Sequence, residues 1–102
     1  MKDEPDRGEI YLNQLNGTNN WFEICMHYDL SEEFMEEFEN CLDWTTVSMR
    51  QTMSEIFIRK YLHKLNLNYI LCYNRGMPWD LKHEIEGILS QRRYEGYRNK
   101  NL

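Results

Sequence analysis

The sequence lacks alanine altogether, has a single valine and only two prolines, and contains no long apolar run. No segment approaches the ~18 consecutive apolar residues that a membrane-spanning helix requires. The start of the chain, Met1 to Arg7, is acidic and polar, which is not the pattern of a secretory signal peptide. These absences predict a cytoplasmic protein.

Residues that could carry catalysis or bind metal are also sparse. The three cysteines, Cys25, Cys41 and Cys72, lack metal-site spacing, so we expect reduced packing cysteines rather than a disulfide or a metal site. Cys25 and His27 lie near no second pair of ligands in the sequence. There is no glycine-rich phosphate loop and no plausible Ser/His/Asp set. We expect no catalytic residues, no metal, no cofactor and no enzymatic activity.

What the chain does contain is enough apolar surface for one core. Hydrophobic residues make up 41% of its 102 residues, with four Phe, seven Tyr and three Trp, a composition too apolar for a disordered chain. That length allows one modest core and no second one. Residues 1–102 are therefore expected to form a single domain.

A short sequence pattern occurs three times. Its lead residues, Leu30, Met53 and Met77, are 23 and 24 residues apart, and such a period predicts stacked structural repeats. The equivalent positions are Ser31/Ser54/Pro78, Phe34/Phe57/Leu81, Phe38/Tyr61/Ile85, Leu42/Leu65/Leu89 and Trp44/Leu67. The third copy is the weakest.

Apolar residues in each copy recur every four positions, which predicts an amphipathic helix with one buried face. Asn20, Asp43, Asn66 and Ser90 occupy equivalent positions after this helix, and all four are favourable N-cap residues. Each is therefore expected to begin a second, shorter helix. For the start of the first helix, Asp29 with Glu32 and Thr52 with Glu55 have capping-box form, and Ser31 and Ser54 are rival caps.

The expected fold is all-α, a small solenoid-like domain of long-helix/short-helix pairs with irregular ends. Residues 1–20 would form an irregular N-terminal cap, 21–90 the helical repeats and 91–102 a basic C-terminal tail. Within the cap, residues 8–20 fit either a degenerate helical unit or a strand or loop, because Gly17 interrupts the pattern.

The pattern resembles a family of short tandem repeats that read leucine, serine, two acids and phenylalanine, followed after a spacer by aspartate and tryptophan. Such repeats occur in phage, viral and bacterial proteins, mostly without assigned activities. The likeness covers about residues 19–90, and the chain departs from it at Ile56, Leu67 and Pro78. The resemblance implies a helical binding scaffold and transfers no catalytic residue.

Charge is divided unequally along the chain. Residues 1–55 hold three Lys/Arg and thirteen Asp/Glu, a net of −10, whereas residues 56–102 hold nine and four, a net of +5. Such asymmetry is informative about partners rather than about fold. The candidate partner-binding acidic face is Glu32, Glu33, Glu36 and Glu37, and the alternative is an ordinary solvated helix face.

The basic end offers a second candidate surface. Its guanidinium groups could contact phosphates and its rings could stack on bases, or the segment could be a solubilising tail. The candidate nucleic-acid-binding residues are Arg92, Arg93, Tyr94, Tyr97, Arg98 and Lys100.

Small size, an acidic half and absent chemistry favour a non-enzymatic inhibitor. The lack of alanine is typical of AT-rich genomes such as those of phages and mobile elements, so an anti-CRISPR-like protein is the sharpest version. Its partner would be a protein, such as a nuclease or nucleoprotein effector, and contact with RNA remains open. The alternatives are an RNA- or DNA-binding module that uses the Arg/Tyr-rich end, and a structural adaptor.

Overall fold

The computed structural model describes residues 3–74 and 77–100, with side chains described as far as Arg92. Within those ranges the chain folds into helices packed around one core, which confirms the all-α class. The described ranges hold seven helices: α1 Arg7–Asn16, α2 Trp21–His27, α3 Glu32–Glu37, α4 Trp44–Arg50, α5 Glu55–Lys60, α6 Leu67–Tyr73 and α7 Trp79–Lys100.

Three of the helices begin at the predicted corner caps. The side-chain oxygens of Asn20, Asp43 and Asn66 each accept a hydrogen bond from the backbone N–H three residues on, all at 3.2 Å. Each bond satisfies one of the N–H groups that a helix start leaves without an intrahelical partner. The corner prediction is therefore confirmed at α2, α4 and α6.

The helices that precede the corners at Asp43 and Asn66 start at the serines. Ser31 Oγ accepts from Phe34 N at 3.1 Å, and Ser54 Oγ accepts from Phe57 N at 3.2 Å, so the serines rather than Asp29 and Thr52 are the N-caps. Each serine is the N-cap because it lies directly before the first helical residue, so its hydroxyl reaches the backbone N–H of the third helical residue.

These first helices are shorter than the sequence pattern predicts. α3 and α5 end after six residues, one fewer than α4 and α6, because Phe38 (φ −107°) and Tyr61 (φ −111°) leave the helical conformation. The chain continues as a hydrogen-bonded turn, with Cys41 N bonded to Phe38 O and Lys64 N to Tyr61 O, both at 2.9 Å. The turn keeps the apolar positions buried, so the four-residue spacing survives although the helix stops.

The helices lie in two rows. In one row α2 packs on α4 and α4 packs on α6, which in turn packs on α7. Side-chain contacts link α1, α3, α5 and α7 in the other row, for example Arg7 to Glu37 and Arg59 to Glu84. This arrangement is the stack of helix pairs that the repeat predicts.

Three aromatic rings at equivalent positions fill the core in each of two successive units. Trp21 packs on Phe34 and Phe38, with ring centroids 6.4 and 5.5 Å apart. The equivalent Trp44 packs on Phe57 and Tyr61 at 6.3 and 4.9 Å. In the third unit the equivalents are Leu67, Leu81 and Ile85, and all three are buried. The three positions change from aromatic to aliphatic together, which preserves packing where the sequence match is weakest.

The buried face predicted from the repeat is confirmed, and the core continues into the short helices through Val47 and Ile70. All of the following belong to one hydrophobic cluster, with Trp44 partly buried and the others buried: Phe34, Phe38, Leu42, Trp44, Val47, Phe57, Tyr61, Leu65 and Ile70.

The two ends differ from the repeat. Of the alternatives for residues 8–20, the helix is found: α1 ends at Gly17, whose left-handed backbone (φ 66°) closes it as glycine does without steric cost. At the other end the corner predicted at Ser90 is wrong, because α7 runs through it to Lys100. The residue after Ser90 is Gln91, which has no apolar side chain to bury against another unit, so nothing favours a corner there.

Candidate protein-binding surface

Glutamates from one unit hold the helix start of the next. Glu4 Oε1 accepts from Ser31 N at 3.2 Å and from Ser31 Oγ at 2.5 Å. Glu32 likewise accepts from Ser54 N at 2.6 Å and from Ser54 Oγ at 3.0 Å. Both carboxylates also lie at the positive end of the helix that they contact. These contacts fix the register between units and place the first turns of α3 and α5 side by side.

The third unit cannot repeat this contact. The position equivalent to Ser54 is Pro78, which has neither a backbone N–H nor a hydroxyl. Glu55 instead accepts from Arg59 Nε at 2.9 Å, and Arg59 also contacts Glu84 and lies 4.0 Å from Asp80. The pKa of Arg59 is raised mainly by its hydrogen bond to Glu55 and, to a smaller extent, by its hydrogen bond to Glu84. A shared guanidinium therefore joins the first turn of α5 to that of α7.

The predicted acidic face is largely engaged within the chain. Glu32 binds Ser54, Glu36 lies 3.4 Å from Lys60 Nζ, and Glu37 lies 3.7 Å from Arg7. Glu33 is exposed, and among the described residues its carboxylate has no hydrogen bond or ion pair. The four glutamates thus do not form a uniform free surface; Glu33 is the one available to a partner.

A different surface is formed where the first helices begin. We define the first-turn edge as the first two residues of α3, α5 and α7, which are Glu32, Glu33, Glu55, Ile56, Trp79 and Asp80. Ile56 is 81% exposed and Trp79 is 75% exposed. The edge thus holds four carboxylates, two large apolar side chains and no base.

Trp79 is held on this edge without being buried. Its ring stacks on His83, with centroids 5.2 Å apart and planes 12° from parallel. The two residues are one helical turn apart, which is the spacing at which side chains meet on a helix. A partly ordered, exposed indole is typical of protein-binding sites, because it loses little conformational freedom when it is covered.

Neither Ile56 nor Trp79 is among the sequence-predicted site residues. The signal was present: Ile56 occupies the position of the exposed Glu33, and Trp79 occupies that of Glu32 and Glu55. Two large apolar side chains at repeat positions that are acidic in other units make this edge a candidate for contact with a partner.

One polar cluster lies at the other end of the first helices. Glu39 accepts from Tyr61 Oη at 2.6 Å, a bond that lowers the pKa of the carboxyl. Burial, together with the same bond, raises the pKa of Tyr61 to about 12. Lys64 Nζ donates to Glu39 O at 3.3 Å and lies 5.8 Å from the centre of the Trp44 ring. These contacts join the first unit to the second.

The thiols and imidazoles do not converge on a site. The three cysteines are free thiols, and burial raises the pKa of Cys25 to about 11, which disfavours a reactive thiolate. His27, His63 and His83 are all exposed. In the described part of the chain, no three or more His, Cys, Asp or Glu side chains are placed to hold a metal ion.

Of the candidate nucleic-acid-binding residues, Arg92 is exposed on α7. Arg93, Tyr94, Tyr97, Arg98 and Lys100 follow on the same helix, and their side chains lie outside the described part of the structure.

Comparison with models of known protein families, with curated proteins and with solved structures found no match. Across the described residues, no helix combines the length and the apolar composition needed to cross a bilayer.

Proposed function

We propose that the protein is a non-enzymatic binding protein that docks on a partner protein through the first-turn edge. Its biological role would be that of a phage or mobile-element inhibitor, similar to an anti-CRISPR protein, acting on a host nucleic-acid-handling complex. The observation that carries the proposal is the joint exposure of Ile56 and Trp79 among the edge carboxylates. Tryptophan is the side chain most enriched among residues that dominate protein–protein binding energy.

The charge of the edge indicates the chemistry of the partner. Four carboxylates and no base stand in its six positions, and Arg59 beside the edge contacts two of them, Glu55 and Asp80, which leaves the edge with a net negative charge. Such a surface repels nucleic-acid phosphates and is complementary to a basic protein groove. The grooves that hold DNA or RNA in nucleic-acid-handling proteins are basic, and an acidic ligand would compete for them. The partner groove would also need an apolar pocket for Trp79.

The first experiment is affinity capture with three baits. The wild-type chain is compared with a Glu33→Lys/Trp79→Ala variant, which removes the free acid and the indole. Leu15→Ala is the matched control, because Leu15 is 86% exposed on α1, outside the edge. Each captured protein is identified, purified and titrated against all three baits.

We expect a nucleic-acid-handling partner that the wild type and Leu15→Ala bind equally. Loss of a tryptophan hot spot costs about 2 kcal/mol or more, so the edge variant should bind about 30-fold more weakly. Equal binding by all three baits would exclude the edge as the docking surface. A partner that has no role with nucleic acids would favour the adaptor alternative instead.

A further inference from the structure

The corner between α5 and α6 contains a surface cavity of about 330 Å³, which α7 closes on one side. Thr45 contributes from α4, Asn66 and Asn68 from the start of α6, and Leu89 and Arg92 from α7, while Lys64 lies in the turn after α5. α5 runs from the first-turn edge to this corner, so the cavity lies at the opposite end of the first helices. Any ligand here is independent of the proposed docking surface.

The lining of this cavity selects for an anion. The described residues of its lining include two cations, Lys64 and Arg92, together with hydroxyl and amide groups, and no carboxylate. The cavity between α1 and α2, about 200 Å³, shows the contrast because Glu9 and Glu23 line it. A metal cation would find no charged ligand in the corner cavity.

Lys64 is positioned by hydrogen bonds rather than by a direct ion pair. Its ammonium donates to two neutral oxygens, Glu39 O and Asn40 Oδ1, both at 3.3 Å. The Glu39 carboxylate is close enough for Lys64 to lower its pKa, but that carboxylate is engaged by the Tyr61 hydroxyl at 2.6 Å. Among the described residues, neither Lys64 nor Arg92 forms an ion pair. An ordered ammonium that makes no direct ion pair can still donate to an external anion.

We propose that this cavity binds a backbone phosphate of single-stranded RNA or DNA. Arginine contacts phosphate oxygens through its planar fork, and lysine adds a point charge. The volume lies at the lower end of the about 300–1,000 Å³ typical of ligand cavities, so it accommodates one phosphate and its sugar rather than a dinucleotide. Residues 56–102, which supply both cations of the cavity, carry a net charge of +5, and such a surplus of cations attracts a strand of phosphates more strongly than a single free anion.

The test compares two double variants that remove the same charges. Lys64→Gln/Arg92→Gln changes the cavity, and Arg50→Gln/Lys82→Gln removes one lysine and one arginine that are also exposed or partly exposed but lie outside it. Glutamine keeps a donor for the Glu39 carbonyl, and circular dichroism checks that both variants fold. A fluorescent oligo-uridine RNA and its DNA counterpart are titrated with the full chain at several salt concentrations.

We expect the cavity variant to bind at least about tenfold more weakly. The logarithm of its association constant should also fall less steeply with the logarithm of the salt concentration. The slope should be shallower by about 0.7 for each phosphate that the variant no longer neutralises. The control variant should bind less than about threefold more weakly than the wild type, because it removes only long-range attraction. Equal weakening in the two variants, or no binding by the wild type, would overturn the proposal.

Inorganic phosphate and uridine monophosphate form separate arms of the same test. They distinguish a site for any phosphate from a site for a nucleic-acid strand. If they shift the Asn66 and Asn68 amide resonances but the oligonucleotides do not bind, the anion site stands and nucleic acid as its ligand is excluded.

Discussion

Gln51 provides the most demanding test of how the units are joined. This side chain is only 8% exposed and connects the end of α4 to the preceding unit. Its amide nitrogen donates to Cys25 O at 2.7 Å and to Tyr28 O at 2.8 Å, while its oxygen accepts from Leu30 N at 2.9 Å. One amide thus serves three backbone groups that lie 21–26 residues away in the sequence.

The perturbation is Gln51→Leu, which keeps most of the side-chain volume and removes all three hydrogen bonds. Each buried polar group that loses its partner costs about 1–3 kcal/mol, and the leucine recovers part of that by burying apolar surface. We expect the free energy of unfolding to fall by about 3–5 kcal/mol. That is a large share of the about 5–15 kcal/mol by which domains are stable.

The assay is urea unfolding followed by circular dichroism, with the slope of the transition checked for two-state behaviour. Gln91→Leu is the matched control, because Gln91 is exposed on α7 and its substitution should stay within about 0.5 kcal/mol. A decrease below about 1 kcal/mol for Gln51→Leu would show that the amide bonds add little to the joining of units, and the reasoning would fail.

Three further predictions concern single side chains. Asn74, the equivalent of Gln51 one unit later, has a buried Nδ2 that finds no hydrogen-bond partner among the described residues, so Asn74→Gln should raise the unfolding free energy by about 1 kcal/mol in the same assay; a decrease would count against it. Ser54→Ala removes an N-cap and should lower the urea-derived stability by about 1–2 kcal/mol, and an unchanged stability would contradict its role. Tyr61→Phe removes the hydrogen bond that lowers the pKa of Glu39, so it should raise that pKa as measured by NMR; an unchanged pKa would refute this. Because the pKa of Glu39 is lower in the folded state, this carboxylate stabilises the fold at pH values above its unfolded-state pKa, and the stabilisation is lost as the pH falls through the folded-state pKa.

The repeat made the core and the corners predictable. Phe34 and Phe57 occupy one register position and are both buried, and Asp43 and Asn66 occupy another and are both caps. Each inference needs only the helical period and the hydrogen-bonding capacity of the side chain. If the repeat had been aligned in the wrong register, both residues of each pair would have been assigned the wrong role.

Helix ends and lengths were less predictable for a physical reason. A turn that starts at Phe38 buries the same apolar residues as a continuous helix would, so the apolar spacing cannot distinguish them. The corner predicted at Ser90 relied on a cap residue alone. A cap residue does not end one helix and begin another unless the residues after it have apolar side chains to pack against the core, and Gln91 has none.

The candidate surface depended on contacts between units, which sequence spacing does not reveal. Glu32 and Glu33 are adjacent and chemically identical, yet Glu32 binds Ser54 and Glu33 is free for a partner. Their difference follows from where α5 lies beside α3. The exposure of Trp79 likewise follows from the end of the stack, because no further unit covers it in the described part of the chain.

Hydroxyl-radical footprinting of the complex with the captured partner tests the central claim most directly, since it reports which side chains a partner covers. Ile56 and Trp79 are exposed and should be oxidised in the free chain, as should Leu15 outside the first-turn edge. We expect the partner to protect Ile56 and Trp79 while Leu15 is oxidised as before. Continued oxidation of Trp79 in the complex, with protection elsewhere, would contradict docking through the first-turn edge.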